Sequence, residues 1–277
     1  MHSNHDVRHL EAGDLGVVVP GNASGSVEWG FGGRPVVVLV GLTGAGKTTT
    51  VEHLAALLSP AAILPDRRAL TDRVILPSMT GGSEAVTDRV ERFRLTAAFK
   101  ERHPGGMGEV LSWLRLPGDL PGGPILFDGL RGEAEAAAAA ALPNGRFLVL
   151  DCPPAHRLWR LCGRNDPFDQ ASATTAVDAA AHGTEAVRVA LRGEGFDALV
   201  AEADFARLVR TLVDRAIEPE VVARSAAIIV EESHHYDPDR ARDTLLRLVP
   251  ERTLVLDTAK LDPKAVARTA VEWLAAG

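Results

Sequence analysis

The chain is poor in the residues that several common chemistries need. Its 277 residues contain only two cysteines, Cys152 and Cys162. Two thiols at that spacing make neither a zinc site nor a disulfide framework, and they read as reduced cysteines in an apolar strand-to-helix stretch. Lysine is also scarce: apart from Lys47, Lys100, Lys260 and Lys264, the 30 basic residues are all arginine. Arginine suits bidentate phosphate recognition, although codon bias is the blander cause of most of the excess. The formal net charge of −7 gives no whole-chain basic signature, which argues against nucleic acid as the partner. No segment has the length of a membrane span, and the polar, histidine-bearing first residues lack the apolar core of a signal peptide. The expectation is a cytoplasmic protein with no membrane association. Its 46% hydrophobic content over this length allows a large buried core.

What the chain does have is a complete phosphate-binding loop. Gly41-Leu42-Thr43-Gly44-Ala45-Gly46-Lys47-Thr48 fits G-x-x-x-x-G-K-[ST]. Before it, Pro35 to Val40 is a short β-branched run that suits a buried parallel strand. After it, Val51, Leu54, Leu57 and Leu58 recur at helical spacing until Pro60 ends the run. Strand, glycine loop and helix are the context in which the motif has a mechanism. Gly41, Gly44 and Gly46 let consecutive N–H groups turn inward as an anion nest, and the helix N-terminus adds partial positive charge. Lys47 is placed to reach β- and γ-phosphates, and the Thr48 hydroxyl to meet Mg²⁺. The expected ligand is ATP with Mg²⁺, its phosphates held on Gly41 through Thr49.

Strands and helices alternate along much of the remaining chain. Strands are expected at 62–65, 124–128, 146–151 and 252–257, and an additional one at 226–231. Helices are expected over 87–103, with Val90, Phe93 and Ala97 on the apolar face, over the alanine-rich 133–142, and from 152 through 164. Asp237-Pro238 and Asp262-Pro263 each place an acidic cap before a helix-opening proline. This pattern predicts an α/β fold of three layers, a parallel sheet flanked by helices. Residues 1–34 read as a flexible N-terminal segment ahead of a 35–277 domain. Within that domain, 165–225 reads either as a helical, lid-like insertion or as an ordinary helical layer. Arg67 to Arg73 and the glycines Gly105, Gly106 and Gly108 lie where an acceptor pocket would be built; the glycines would allow close backbone approach or a hinge, and a plain loop is the simpler reading. Glu231, Glu232, His234 and His235 read as a polar strand end, with a metal or base role as the alternative.

Ile125-Leu-Phe-Asp128-Gly129 is an apolar strand ending in an acid, the form of a Walker B element, so Asp128 is the second candidate Mg²⁺ group. Its neighbour is Gly129 rather than the glutamate that activates water in motor ATPases. The chain has no Asn-Lys-x-Asp segment for guanine and no Leu-Ser-Gly-Gly signature. What is left is phosphoryl transfer to an acceptor other than water.

In order, the phosphate loop, Phe127-Asp-Gly-Leu-Arg131, and Cys152-Pro-Pro-Ala-His-Arg-Leu-Trp-Arg160-Leu-Cys-Gly-Arg164 resemble the adenylate-kinase-like P-loop kinases. The resemblance spans about residues 35–165 and 250–277. It implies that Arg131 meets the acceptor's phosphate and that Arg160 and Arg164, one helical turn apart, close over the γ-phosphate beside Lys47 and Asp128. Leu254 to Thr258, with Pro263 and Val266, is similar to the family's last strand and helix, near the adenine. The arginine after Asp128-Gly129 comes one position earlier than in the family's usual Asp-Gly-Phe-Pro-Arg. Arg89 and Arg92 are further candidates for the acceptor's anionic group. The expected activity is a small-molecule kinase, with a nucleoside monophosphate or another small metabolite as acceptor. The alternative is a nucleotide-dependent regulator with slow ATP turnover, engaging a protein partner through the helical insertion.

Overall fold

The computed structural model describes residues 7–19, 30–82, 85–163 and 183–276. In chain order its elements are β1 (Gly16–Val17), β2 (Val36–Val40), α1 (Lys47–Leu58), β3 (Ala62–Ile63), α2 (Arg67–Leu70), α3 (Leu76–Thr80), α4 (Arg89–Arg102), α5 (Gly106–Trp113), β4 (Leu114–Arg115), β5 (Ile125–Leu130) and α6 (Glu133–Ala140). They continue with β6 (Gly145–Asp151), α7 (Pro154–Cys162), α8 (Thr184–Gly193), α9 (Glu202–Asp214), α10 (Pro219–His235), α11 (Pro238–Leu248), β7 (Thr253–Asp257) and α12 (Pro263–Ala276). These residues form two compact units. The first comprises the described residues within Met1–Gly41, Gly46–Leu150 and Pro238–Gly277; the second comprises those within Leu42–Ala45 and Asp151–Asp237.

The first unit is the α/β body. Its five-stranded sheet runs β3-β5-β2-β6-β7, with β2 at the centre, and β2 pairs in parallel with β5 and β6. Every residue of β2 is buried, as expected for a continuous valine/leucine run in a sheet covered on both faces. Helices do the covering: α1 packs with α12, and α6 packs with α5 and α11. Because β2 lies between the strands that follow it on either side, its carboxyl end is a topological switch point, where open parallel sheets leave a crevice for ligands.

The α/β body departs from expectation at three places. The apolar face of α4 is not Val90, Phe93 and Ala97: Val90 and Phe93 are 77% and 59% exposed, and Leu95 and Phe99 are buried instead. Phe99 packs edge-on against Trp113 and tilts over His103, so one aromatic cluster sets the rotation of a helix whose apolar residues are otherwise scattered. The glycines at 105–108 open helix α5 rather than a loop. The segment 1–34 is anchored in its described parts. Ile63 bonds both Arg8 and Leu10 through the backbone, β1 pairs with β4, and Leu10, Leu15 and Phe31 join the main core.

The second unit is helical. Leu158, Leu161 and Cys162 of α7 meet Val187 and Leu191 of α8, Phe205 to Leu212 of α9, and Val222, Ala226 and Ile229 of α10. The strand expected at 226–231 is therefore the middle of α10. Its β-branched run is local; the wider spacing of Val222, Ala226 and Ile229 is helical, and burial of that stripe decides the conformation. The helices extend beyond the stretch 165–225 on both sides.

Candidate functional site

The strand–loop–helix motif forms as its residues require. Gly44 and Gly46 have φ of 84° and 96°, the left-handed region that a side chain resists. Gly46 is also the N-cap of α1 and brings no side-chain cap. The first N–H groups of a helix have no intrahelical partner, so those opening α1 at Lys47, Thr48 and Thr49 remain suited to an anion. The Lys47 ammonium reaches back across the loop to the Gly41 carbonyl at 2.8 Å, which keeps its charge at the loop.

The adjacent strand β5 is irregular where the second motif sits. Val38 pairs with Phe127 and Val40 with Leu130, so β5 holds one residue more than β2 between these pairs, a bulge at Asp128-Gly129. Bulges re-aim side chains, and this one falls on the candidate metal ligand. A Cβ on Gly129 would lie 2.1 Å from the Phe127 ring, so the glycine after Asp128 is a packing requirement. Past the bulge, the Leu130 carbonyl accepts the Gly41 N–H at 3.1 Å, tying the two motifs together.

Asp128 is half-buried. Burial pushes its carboxyl above the ordinary aspartate value, the Lys47 and Arg131 charges oppose that shift, and the Asp66 charge adds to it. A desolvated carboxylate in the field of two cations and a second carboxylate is suited to receive further positive charge. Asp128 thereby brings together three expected site residues, Lys47, Asp128 and Arg131, and adds Asp66, which caps α2 by accepting the Ala69 N–H.

Behind this strand end sits an ion pair absent from the sequence reading. Arg67 donates to both oxygens of the buried Glu135, at 2.8 and 2.6 Å, and to the Gly129 carbonyl at 2.9 Å. Glu135 in turn accepts the Arg131 N–H at 3.1 Å. Burial works against ionisation of Glu135, but the Arg67 charge and hydrogen bonds overcome it and hold the carboxyl below its ordinary value. The pair grips the backbone on both sides of Leu130 and so fixes the direction in which Arg131 leaves β5.

In the helical unit, the crest of the phosphate loop is gripped in the same way. Glu232 accepts the Thr43 N–H with both oxygens, at 3.1 and 3.0 Å, and the Thr43 hydroxyl at 2.9 Å. Arg157 pairs with Glu232 and donates Nε to the Thr43 carbonyl at 2.7 Å. Arg160 donates to the Gly44 and Ala45 carbonyls at 3.3 and 3.0 Å. Both side chains of the Arg157–Glu232 pair are about nineteen-twentieths buried, at 4% and 5% exposure.

The other expected residues are dispersed. Arg92 pairs with Asp72 and donates to the Val86 carbonyl at 3.1 Å, which gives it a role in anchoring α4. Arg89 opens α4, but its side chain lies outside the described residues, as does all of Arg164. Thr48 stands exposed at the start of α1. Among the described residues, no group of three or more His, Cys, Asp or Glu could hold a metal; Glu231 instead pairs with His234 and His235 along α10. Mg²⁺ needs no such cluster, since one or two carboxylates with substrate phosphates and water suffice; Asp128 and the Thr48 hydroxyl fit that donor set. No helix among the described residues is long and apolar enough to cross a membrane. Arg157 and Glu232 had one signal in the sequence. With α10 drawn as a helix, Glu232 continues the stripe of Val222, Ala226 and Ile229, and a carboxylate on a buried stripe needs a cation.

No protein-family model matches the chain, and no curated protein does. Among solved structures, the chain is similar to an unliganded sugar kinase from Janibacter sp., at 16% identity over 87% of this chain and 95% of that one, with a TM-score of 0.34. It is also similar to a shikimate kinase from Acinetobacter baumannii in complex with shikimate, at 16% identity over 89% and 96% of the two chains, with a TM-score of 0.33.

Proposed function

We propose that the protein is an ATP-dependent phosphotransferase acting on a small acceptor. The observation that carries this reading is the pairing of the two motifs in adjacent parallel strands. The glycine loop with Lys47 follows β2, and the bulged end of β5 holds Asp128 within the field of the Lys47 and Arg131 charges. The loop amides and Lys47 hold the donor's phosphates, and Asp128 and Thr48 are the groups that would hold Mg²⁺. Bound there, the metal would neutralise charge on the donor's phosphate oxygens. Arg131, positioned by Arg67 and Glu135, holds an anionic group of the acceptor. A nucleoside monophosphate is the first acceptor to test and a small hydroxylated metabolite the second. Arg164 is proposed as the arginine over the γ-phosphate. Arg160, which the sequence resemblance puts in the same role, is here engaged with the loop carbonyls and supports the loop.

Transfer to an acceptor is favoured over hydrolysis because Gly129 cannot activate water. The experiment is a coupled assay of ADP formation with Mg-ATP, run across a panel of nucleoside monophosphates and small alcohols. Turnover that rises sharply with one acceptor class supports the reading; ATP hydrolysis at tens per second with no acceptor contradicts it, since about 10 per second is typical for a complete enzymatic reaction. The second reading is a nucleotide-dependent regulator. It draws on the bonds that Glu232, Arg157 and Arg160 make to residues 43–45, through which a bound nucleotide would act on the helices that carry them. Tight Mg-ATP binding with slow turnover on every acceptor would favour it.

A further inference from the structure

We infer that the buried Arg157–Glu232 pair is a positioning device that shapes the phosphate loop before any ligand arrives. This rests on the loop being the nucleotide site proposed above and says what gives it its form. A nest binds an anion only when successive peptide planes put their N–H groups on the concave side and their carbonyls on the other. Such a loop is entropically costly to hold, and its outward carbonyls need partners. Helix α7 supplies them: Arg157 takes the Thr43 carbonyl, and Arg160 takes those of Gly44 and Ala45. Three consecutive carbonyls are therefore held from one side.

Glu232 completes the arrangement. It accepts the N–H and hydroxyl of Thr43 while pairing with Arg157, so the Thr43 residue is fixed by its donor, its acceptor and its side chain together. The α7 backbone also sits directly against Gly44, where a Cβ would come within 2.9 Å of the Arg157 carbonyl. The left-handed conformation of Gly44 is thus enforced by packing as well as permitted by its lack of a side chain. Neither Arg157 nor Glu232 needs to touch the nucleotide; both act through Thr43 and Gly44.

The test compares Glu232→Gln and Arg157→Lys with the intact chain, using calorimetric titration of Mg-ATP and, separately, of magnesium tripolyphosphate. Circular dichroism and a thermal melt establish that each variant is folded. Glu232→Gln keeps the side chain's size and removes its charge, and Arg157→Lys keeps the charge and removes the planar fork. The expected result is folded variants whose affinity falls by about tenfold or more for both ligands alike, the size of a lost charge-assisted hydrogen bond. An equal loss for tripolyphosphate places the effect on the phosphate loop. Folded variants that bind both ligands as tightly as the intact chain would overturn the inference. If either variant fails to fold, Thr43→Val removes one hydroxyl bond to Glu232 and leaves the ion pair whole: severalfold weaker binding supports the inference, and unchanged binding overturns it. Failure of the intact chain to bind Mg-ATP at all would strike the proposed function instead.

Discussion

Each unit contains an arginine paired with a buried glutamate that grips one sequence motif by its backbone, and the two pairs differ in instructive ways. In the α/β body, Arg67 takes the Gly129 carbonyl and Glu135 the Arg131 N–H, two residues apart. In the helical unit, Arg157 and Glu232 take the carbonyl and N–H of a single residue, Thr43. Arg67 keeps 21% of its side chain exposed, whereas Arg157 keeps 4%. The outer pair orients a strand end that leads to Arg131. The enclosed pair holds a loop whose peptide planes must stay turned. Burying charge is costly unless each group is fully bonded, and here the bonds that satisfy the charges are the ones that set the motif geometry.

Losing the chemistry altogether should produce the largest effect and leave both grips in place. Lys47→Ala should lower acceptor-dependent turnover by about a hundredfold or more, because the charge that meets the phosphates in the transition state is gone. Steady-state assays on a variant whose melting temperature matches the intact chain would check it; retained turnover would break the assignment of the loop.

Next is the contrast between the pairs. Arg157→Met leaves an uncompensated carboxylate in the core and should cost about 3–5 kcal/mol of stability. Arg67→Met also strands a buried carboxylate, Glu135, but the arginine position is 21% exposed and water can partly take its place, so it should cost about 1.5–3 kcal/mol. Urea titrations of the two variants measure the difference directly, and a larger loss at Arg67 would reverse the ranking.

Acid should reach the outer pair in a defined direction. Glu135 ionises below its ordinary value of 4.5 in the folded chain. Below that folded value both states bind the proton and the pair adds nothing. Its stabilisation appears as pH rises through the interval between folded and unfolded values and is complete above about 4.5. Melting temperatures from pH 7 down to pH 3 should therefore fall less steeply for Glu135→Gln than for the intact chain. Parallel slopes would mean that Arg67 does not hold the carboxylate.

The smallest expected effect belongs to Arg160. As a partner of two loop carbonyls, Arg160→Ala should weaken Mg-ATP binding by about tenfold or less and reduce turnover through that loss. If turnover falls much further than affinity, Arg160 meets charge developing in the transition state, and the resemblance-based role is the correct one.

How much of this was readable in advance follows from how local each signal is. The strand–loop–helix at 36–58, the strand that carries Asp128 and the alternation of strands and helices were legible because they depend on contiguous residues and short periods. The three-layer arrangement followed from them. The rotation of α4 was misread because Phe99 answers to Trp113 and His103, partners that its own segment does not contain. The run at 226–231 looked like a strand because β-branched residues dominate five positions, while the deciding stripe spans Val222 to Glu232. Arg157 and Glu232 are 75 residues apart, and Arg67 and Glu135 are 68 apart. One chain gives no sign of such a pairing beyond a charge on a buried face. Glu135, within an alanine-rich helix, gave even less.

The most direct test of the central claim is calorimetric titration of the intact chain with Mg-ATP, repeated on Lys47→Ala and Asp128→Asn. Saturable binding at one site is expected, with the lysine variant weakened for Mg-ATP and the asparagine variant losing its dependence on Mg²⁺. No heat of binding to the intact chain, or binding indifferent to both substitutions, would contradict it.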